Sequence, residues 1–205
     1  MKYVPLGSSC GSTVFLTAVE GRKGPNCPFD WALSNPEFVL EIMKLCTSNI
    51  SSYEIVTKYF FKNRYAHKGE HVVSWKEPGQ GSYANTDYRI VFPHEDHKTP
   101  GDVTEAYTRR MERFRNILTS QEQVTYIWSP PGEQRLFDGE PIVQDLEPLN
   151  EIGRMIKSYN PQARILVFTE NEFEFGNEIE HYVIGPCTTY GEVAGKIHDI
   201  FQKIQ

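Results

Sequence analysis

The stretch PLGSSCG at residues 5–11 places a thiol in the kind of turn that suits a nucleophile. A short apolar strand runs into Gly7, two serines and Cys10, and an apolar pattern of helical period begins directly afterwards. The partial positive charge at the start of a helix stabilises a thiolate, which is the nucleophilic form of cysteine. A small, buried and unreactive cysteine would produce the same pattern, so the stretch alone leaves both interpretations open.

The same turn offers groups that are suited to bind a substrate or a developing oxyanion. Glycine allows the backbone to turn tightly, and the free N–H groups at the start of a helix can donate to an oxyanion. The residues that we assign to this role are Gly7, Ser8, Ser9 and Gly11.

A nucleophilic cysteine needs a base, and His94 is the best placed candidate. It lies in a loop just past the predicted strand YRIVF at residues 88–92, and His97 follows three residues later. Two histidines at this tight spacing in a loop, with no cysteine or third histidine close in sequence, are a weak indication of a metal site. We therefore expect neither a metal nor another cofactor.

The segment CPFDW at residues 27–31 contains a carboxylate between two large aromatic side chains. Asp30 stands between Phe29 and Trp31, and buried carboxylates are rare unless they are paired. Asp30 either accepts hydrogen bonds from N–H groups of its own loop, or joins the site by orienting the histidine or pairing with an arginine. We favour the role in the site.

Arg110 is the arginine that we expect to pair with Asp30. At 100° per residue, Arg110 falls within the apolar stripe of a predicted helix, whereas Arg109 lies outside that stripe. An arginine on a buried face needs a carboxylate or an anionic ligand, unless its stem packs and its head reaches the edge. Our hypothesis is that Arg110 pairs with Asp30 and braces the loop of Cys10.

The elements that must position these residues form an α/β pattern. A strand at KYVPLG is followed by a helix, and Asn35 and Pro36 are suited to cap and begin the next helix. The clearest helix begins near Asp102, which stands at capping-box spacing from Glu105. From there on, helices alternate with continuous apolar strands, which indicates a parallel sheet covered by helices on both faces. We predict one three-layer α/β domain over residues 1–205, with an irregular insertion at about 47–88.

The composition excludes several classes of partner. The 205 residues carry a formal net charge of −6 without long basic tracts, which disfavours nucleic acid. The apolar runs are too short to cross a membrane. The four cysteines have no paired metal spacing, and the first strand starts at residue 2 without a leader before it. We therefore expect an intracellular, cytoplasmic protein without a disulfide framework.

Four motifs together resemble those of a family of predicted papain-like cysteine peptidases, whose function is otherwise unknown. They are LGSSC at 6–10, PFDW at 28–31, FPHED at 92–96 and YTRRMERFRNIL at 107–118. The resemblance covers roughly residues 3–128 and extends more loosely over the rest of the chain.

The resemblance implies roles for individual residues. Cys10 would be the nucleophile and His94 the base, and Asp30 would join the site, with the third catalytic member left open. Arg109 and Arg110 match the family's paired arginines, and they would support the site together with Trp31 and Asp96. In this chain Glu95 intervenes between the histidine and Asp96.

The predicted fold differs from the papain fold that the family name implies. A cysteine after the first strand of a mainly parallel sheet is closer to esterase and acyltransferase folds than to papain. We therefore predict a cysteine-dependent hydrolase, peptidase-like or esterase-like, that acts on a small-molecule, peptide or acyl substrate. An acyltransferase acting on a carbohydrate or another acceptor, and a non-catalytic binding or structural protein that keeps the fold, are the alternatives.

Overall fold

A computed structural model of the chain describes residues 2–7, 10–19, 21, 26–30, 32, 34–61, 63–68, 72–75, 82–85, 87–88, 90–92, 99–131, 136–137, 140–141 and 144–204. Within these residues, α-helices, strands and two π-helical segments follow one another along the chain. In chain order they are β1 (Lys2–Pro5), α1 (Cys10–Val14), π1 (Phe15–Val19), α2 (Pro36–Cys46), α3 (Ser52–Glu54), π2 (Ile55–Phe60), β2 (Asn63–Lys68), β3 (Val72–Trp75), β4 (Ser82–Asn85), β5 (Ile90–Phe92), α4 (Pro100–Leu118), β6 (Val124–Trp128), β7 (Leu136–Phe137), β8 (Glu140–Pro141), α5 (Pro148–Tyr159), β9 (Arg164–Thr169), β10 (Glu180–Val183) and α6 (Tyr190–Ile204).

A four-stranded parallel sheet forms the centre of the fold. Its strand order is β1-β6-β9-β10, and each of its three pairs is parallel. Pro5 is paired with Ile127, and Trp128 is paired with Val167, so the carboxyl ends of these strands lie along one edge. The predicted α/β fold is thereby confirmed.

Helices cover both faces of this sheet, because consecutive side chains of a buried strand point to opposite sides. Tyr126 and Trp128 pack into the larger apolar cluster, which includes residues of α2, α4 and α5. Ile127 packs on the other side with Phe15 of π1 and Phe201 of α6. The arrangement has three layers, as predicted.

Two helices near the site, α2 and α4, begin at caps of different residue types. Asn35 caps α2 as predicted, because its side-chain oxygen accepts the Phe38 N–H at 2.9 Å. The predicted start of α4 at Asp102 is wrong. Thr99 is the cap, and its hydroxyl oxygen accepts the Asp102 N–H at 3.2 Å. Pro100 suits the first helical position because of its fixed φ, and it extends the helix upstream.

A second sheet is built largely from the segment that we expected to be irregular. Residues 47–88 contribute α3, π2 and strands β2 to β4, and the sheet order is β5-β4-β2-β3-β7-β8. Strand β5 lies within the predicted strand at 88–92 and pairs antiparallel with β4. The strand that leads towards His94 therefore belongs to this second sheet.

Candidate functional site

The turn after β1 requires glycine at position 7. Gly7 has a φ of +96°, which residues other than glycine rarely adopt. A Cβ atom there would lie 1.9 Å from the Ser34 Oγ and 3.5 Å from the Phe29 Cβ. The Leu6 N–H donates to the Ile127 carbonyl at 2.8 Å, which continues the β1–β6 pairing up to the turn. The turn is therefore held closely against both its neighbouring strand and the loop that contains Phe29.

Cys10 is the first residue of α1, and the helical segment continues through π1 to Val19. The order of strand, glycine turn and helix that the sequence predicted around Cys10 is present in the structure. Gly11 is buried in the first turn of α1. The Cys10 side chain, together with Ser8 and Ser9, lies outside the described part of the chain, so the thiol's own contacts stay a prediction.

Asp30 connects its loop to the first helix. It is completely buried, and one carboxylate oxygen accepts the Cys27 N–H at 2.6 Å. The other oxygen accepts the hydroxyl of Thr13 at 3.4 Å, and Thr13 lies three residues after Cys10 in α1. The structure therefore shows the alternative that we did not favour, in which Asp30 accepts a hydrogen bond from an N–H group of its own loop. The role of Asp30 towards His94 stays a prediction.

Several predicted site residues lie outside the residues that the structure describes. They include the proposed base and part of the predicted supporting set. These residues are His94, Asp96 and Trp31, together with Glu95 and His97.

Arg113 is the arginine that holds the Asp30 loop, and the sequence analysis missed it. Its guanidinium donates twice to the Asn26 carbonyl, from Nη2 at 2.7 Å and from Nε at 3.2 Å. Two donors on one acceptor fix the loop immediately before Cys27. Arg113 belongs to the motif that also contains Arg110, but no pattern in the sequence indicates a backbone acceptor 87 residues away.

The two predicted arginines have different surroundings on α4. The Arg110 guanidinium carbon lies 4.4 Å from the centroid of the Tyr107 ring, which is a cation–π contact. Arg109 is exposed and forms an ion pair with Glu105 on the same helix. The proposed pairing of Arg110 with Asp30 stays a prediction.

An aromatic cluster joins the Asp30 loop to the second sheet. The ring centroid of Phe29 lies 6.2 Å from that of Phe60 and 5.4 Å from that of Phe114. Phe60 also lies 4.9 Å from Phe92, the last residue of β5. The residue before Asp30 and the end of the strand that leads to His94 therefore pack on the same ring.

The other three cysteines are free, buried thiols. Cys46 donates to the Met111 sulfur at 3.4 Å, and burial raises the pKa of its thiol to about 12 despite the nearby Arg115. Burial also raises the pKa of Cys187, and Lys196 partly opposes this shift. Both thiols are therefore mostly protonated, and poorly nucleophilic, at neutral pH.

Neither a metal-binding cluster nor a membrane-spanning helix is present among the described residues. Across that part of the chain, no group of three or more His, Cys, Asp or Glu side chains is arranged to hold a metal ion. The helices found there are all too short or too polar to cross a membrane.

The fold and the turn define an α/β protein with a cysteine at the helix start that follows its first strand. The chain belongs to the family described as "Putative papain-like cysteine peptidase (DUF1796)", which matches residues 1–147. The resemblance drawn from the four sequence motifs is thereby confirmed at the level of the family. Searches of curated proteins and of solved structures found no match to the chain.

Proposed function

We propose that the protein is a cysteine-dependent hydrolase in which Cys10 is the nucleophile and His94 is the base. The observation that carries this proposal is the place of Cys10 as the first residue of the helix that follows β1. Ligands of open α/β sheets bind outside the carboxyl ends of the strands, which is where this turn lies. The family's description as cysteine peptidases supports the same class of reaction.

The start of a helix favours the reactive form of a thiol. The partial positive charge there stabilises a thiolate, and the free N–H groups of the first turn can donate to an anion. Asp30 fixes this turn indirectly through Thr13, and Arg113 fixes the Asp30 loop through Asn26. We assign Asp30 and Arg113 as positioning residues, because both act on the site through another group.

The connectivity of the chain supports His94 as the base. His94 follows Phe92 by two residues, and two residues span at most about 7 Å. Phe92 packs on the ring of Phe60, which also contacts Phe29 beside Asp30. Phe92, two residues before the base, and Phe29, next to the positioning carboxylate, therefore contact the same ring.

The reaction that we propose proceeds through a thioester. The Cys10 thiolate attacks the carbonyl carbon of an ester or amide, and a carbon–sulfur bond forms. The bond from that carbon to the leaving group breaks, and the leaving group takes a proton from the His94 imidazolium. Water then attacks the thioester while His94 accepts a proton from it, and the carbon–sulfur bond breaks to release the acid and restore the Cys10 thiolate and the His94 imidazolium.

An activated ester tests this assignment. With p-nitrophenyl acetate, we expect release of nitrophenolate and an acetyl group on Cys10, located by mass spectrometry of peptides. His94→Ala should slow acetylation by about 10²–10⁴-fold, the usual contribution of a general base. His97→Ala is the matched control, since it removes an imidazole only three residues further along the chain, and we expect it to change the rate less than about twofold.

Two results would contradict the proposal. Acetyl groups distributed equally over Cys10, Cys27 and Cys187 would show that no thiol is activated. An unchanged acetylation rate in His94→Ala would remove the base from the mechanism.

A further inference from the structure

We propose that the Ser129 hydroxyl stabilises the oxyanion that forms when Cys10 is acylated. This inference rests on the proposed function and adds a residue to the site. Ser129 is completely buried, and its hydroxyl has no hydrogen-bond partner within the part of the chain that the structure describes. A buried hydroxyl without a partner is destabilising, so such a group calls for an explanation.

The position of Ser129 links it to the Cys10 turn. Ser129 directly follows β6, whose pairing with β1 ends at Ile127 and Pro5. The Leu6 N–H continues this pairing by donating to the Ile127 carbonyl at 2.8 Å. Extension of the same register places Ser129 beside Gly7, at the carboxyl edge from which the chain turns into α1.

The direction of the side chain agrees with this placement. Side chains alternate along a strand, so Ser129 points to the same side of the sheet as Ile127. Ile127 packs with Phe15, which belongs to the helical segment that Cys10 begins. The Ser129 hydroxyl therefore lies on the face of the sheet that this segment covers.

A second unpartnered hydroxyl lies in the same region. Ser12, in the first turn of α1, is completely buried, and its hydroxyl is likewise without a partner among the described residues. We assign the role to Ser129 because the register places it beside the turn. Since Ser129 is completely buried, acylation must be accompanied by a local shift that brings the acyl oxygen within its reach.

The chemistry that suits this position is donation to a carbonyl oxygen as it gains charge. In acylation by an ester, the thiolate adds to the carbonyl carbon, the oxygen becomes an oxyanion, and the alkoxide or phenolate then leaves. Alkylation by iodoacetamide displaces iodide from carbon in one step and forms no oxyanion. The two reactions use the same sulfur, so their ratio separates oxyanion stabilisation from thiol reactivity.

The test compares both rates at Cys10 in variants of the full chain. Ser129→Ala should slow acylation by p-nitrophenyl acetate about 10- to 100-fold, below the loss seen for a dedicated oxyanion donor, and leave alkylation by iodoacetamide within about twofold. Thr125→Val is the matched control. The Thr125 hydroxyl is also buried and without a partner among the described residues, and Thr125 lies in β6, four residues before Ser129 and on the same face of the sheet. This variant should change neither rate by more than about twofold.

Each outcome has a defined meaning. Unchanged acylation in Ser129→Ala, or an equal fall in both rates, would overturn the role of Ser129 while leaving Cys10 as the nucleophile. A wild-type protein whose Cys10 reacts with neither reagent would overturn the proposed function and this inference together. Ser129→Thr keeps the hydroxyl, and a ratio of the two rates near that of the wild type is expected for it. A ratio as low as that of the alanine variant would contradict the role.

Discussion

Two cysteines follow positive-φ glycines at the carboxyl edge of the same parallel sheet, but their local surroundings differ. Cys10 comes three residues after Gly7 and is the first residue of α1. Cys187 comes two residues after Gly185 and lies three residues before α6 begins. One thiol therefore belongs to a helix start, and the other lies in a loop.

The environment of Cys187 disfavours a thiolate. Its thiol donates to the Gly185 carbonyl at 3.6 Å, and its own N–H is occupied by the Glu170 carboxylate at 3.3 Å. Burial raises the pKa of this thiol, and the charge of Glu170 acts in the same direction. A position at the carboxyl edge of the parallel sheet is therefore not sufficient for thiol reactivity, because the local charges and N–H groups decide whether a thiolate is stable.

The largest difference in hydrolytic activity should appear between a variant that lacks the Cys10 thiol and one that lacks the Cys187 thiol. We expect Cys10→Ala to lower p-nitrophenyl acetate hydrolysis at least about a thousandfold, since the nucleophile is lost. Cys187→Ala should stay within about twofold of the wild type, as measured by nitrophenolate release. Comparable losses in the two variants would mean that the two thiols share the reaction.

Substitution of the two glycines should also separate the regions. Gly7→Ala should lower the free energy of unfolding by about 2–4 kcal/mol, because it combines a positive φ with a 1.9 Å approach to the Ser34 Oγ. At Gly185 the nearest atom to a new Cβ is the Lys196 Nζ at 3.9 Å, so alanine should cost about 1–2 kcal/mol, from its φ alone. Urea unfolding measures both values, and equal losses would argue against a tightly packed Gly7 turn.

The carboxylates near the two loops offer a third comparison. Asp30→Asn should lower the free energy of unfolding by about 1–3 kcal/mol, because the Cys27 N–H and the Thr13 hydroxyl donate to different carboxylate oxygens, and the amide nitrogen that replaces one of them cannot accept. Glu170→Gln keeps an oxygen for the Cys187 N–H, and it should cost less than about 0.5 kcal/mol. A neutral Asp30→Asn variant would contradict the positioning role of that carboxylate.

The pH dependence of alkylation should give the smallest effect. Because burial raises the pKa of Cys187 above its usual value of 9.0, its thiolate fraction at neutral pH is low, and its labelling rate should still increase above pH 9. The Cys10 rate should already be constant by that pH. Iodoacetamide labelling rates measured between pH 6 and 10 test this. The same dependence on pH for Cys10 and Cys187 would mean that the two thiols ionise alike, which would contradict the prediction.

The sequence predicted the elements whose signals are local. Asn35 before Pro36 marked the start of α2, and Gly7 before Cys10 marked the turn into α1, since each depends only on neighbouring residues. The three-layer arrangement followed from buried strands that alternate with helices. These features needed no knowledge of distant contacts.

The parts that the sequence did not predict depend on distant contacts or on competing local signals. Arg113 reaches the carbonyl of Asn26, 87 residues away, and no side-chain pattern reveals a backbone acceptor. Strands β2 to β4 pair with later segments in a second sheet, so their order is set by tertiary contacts. At the start of α4, the capping-box spacing of Asp102 indicated a later start than the one that Thr99 and Pro100 set.

One measurement tests the central claim, the selective reactivity of Cys10, most directly. The folded protein is treated with a limiting amount of iodoacetamide at pH 7, and the labelling rate of each of the four cysteines is determined by mass spectrometry of peptides. The account predicts that Cys10 is labelled at least about tenfold faster than Cys27, Cys46 and Cys187, since only Cys10 begins a helix after a strand end. Equal rates at Cys10 and Cys187, or labelling led by Cys187, would contradict it.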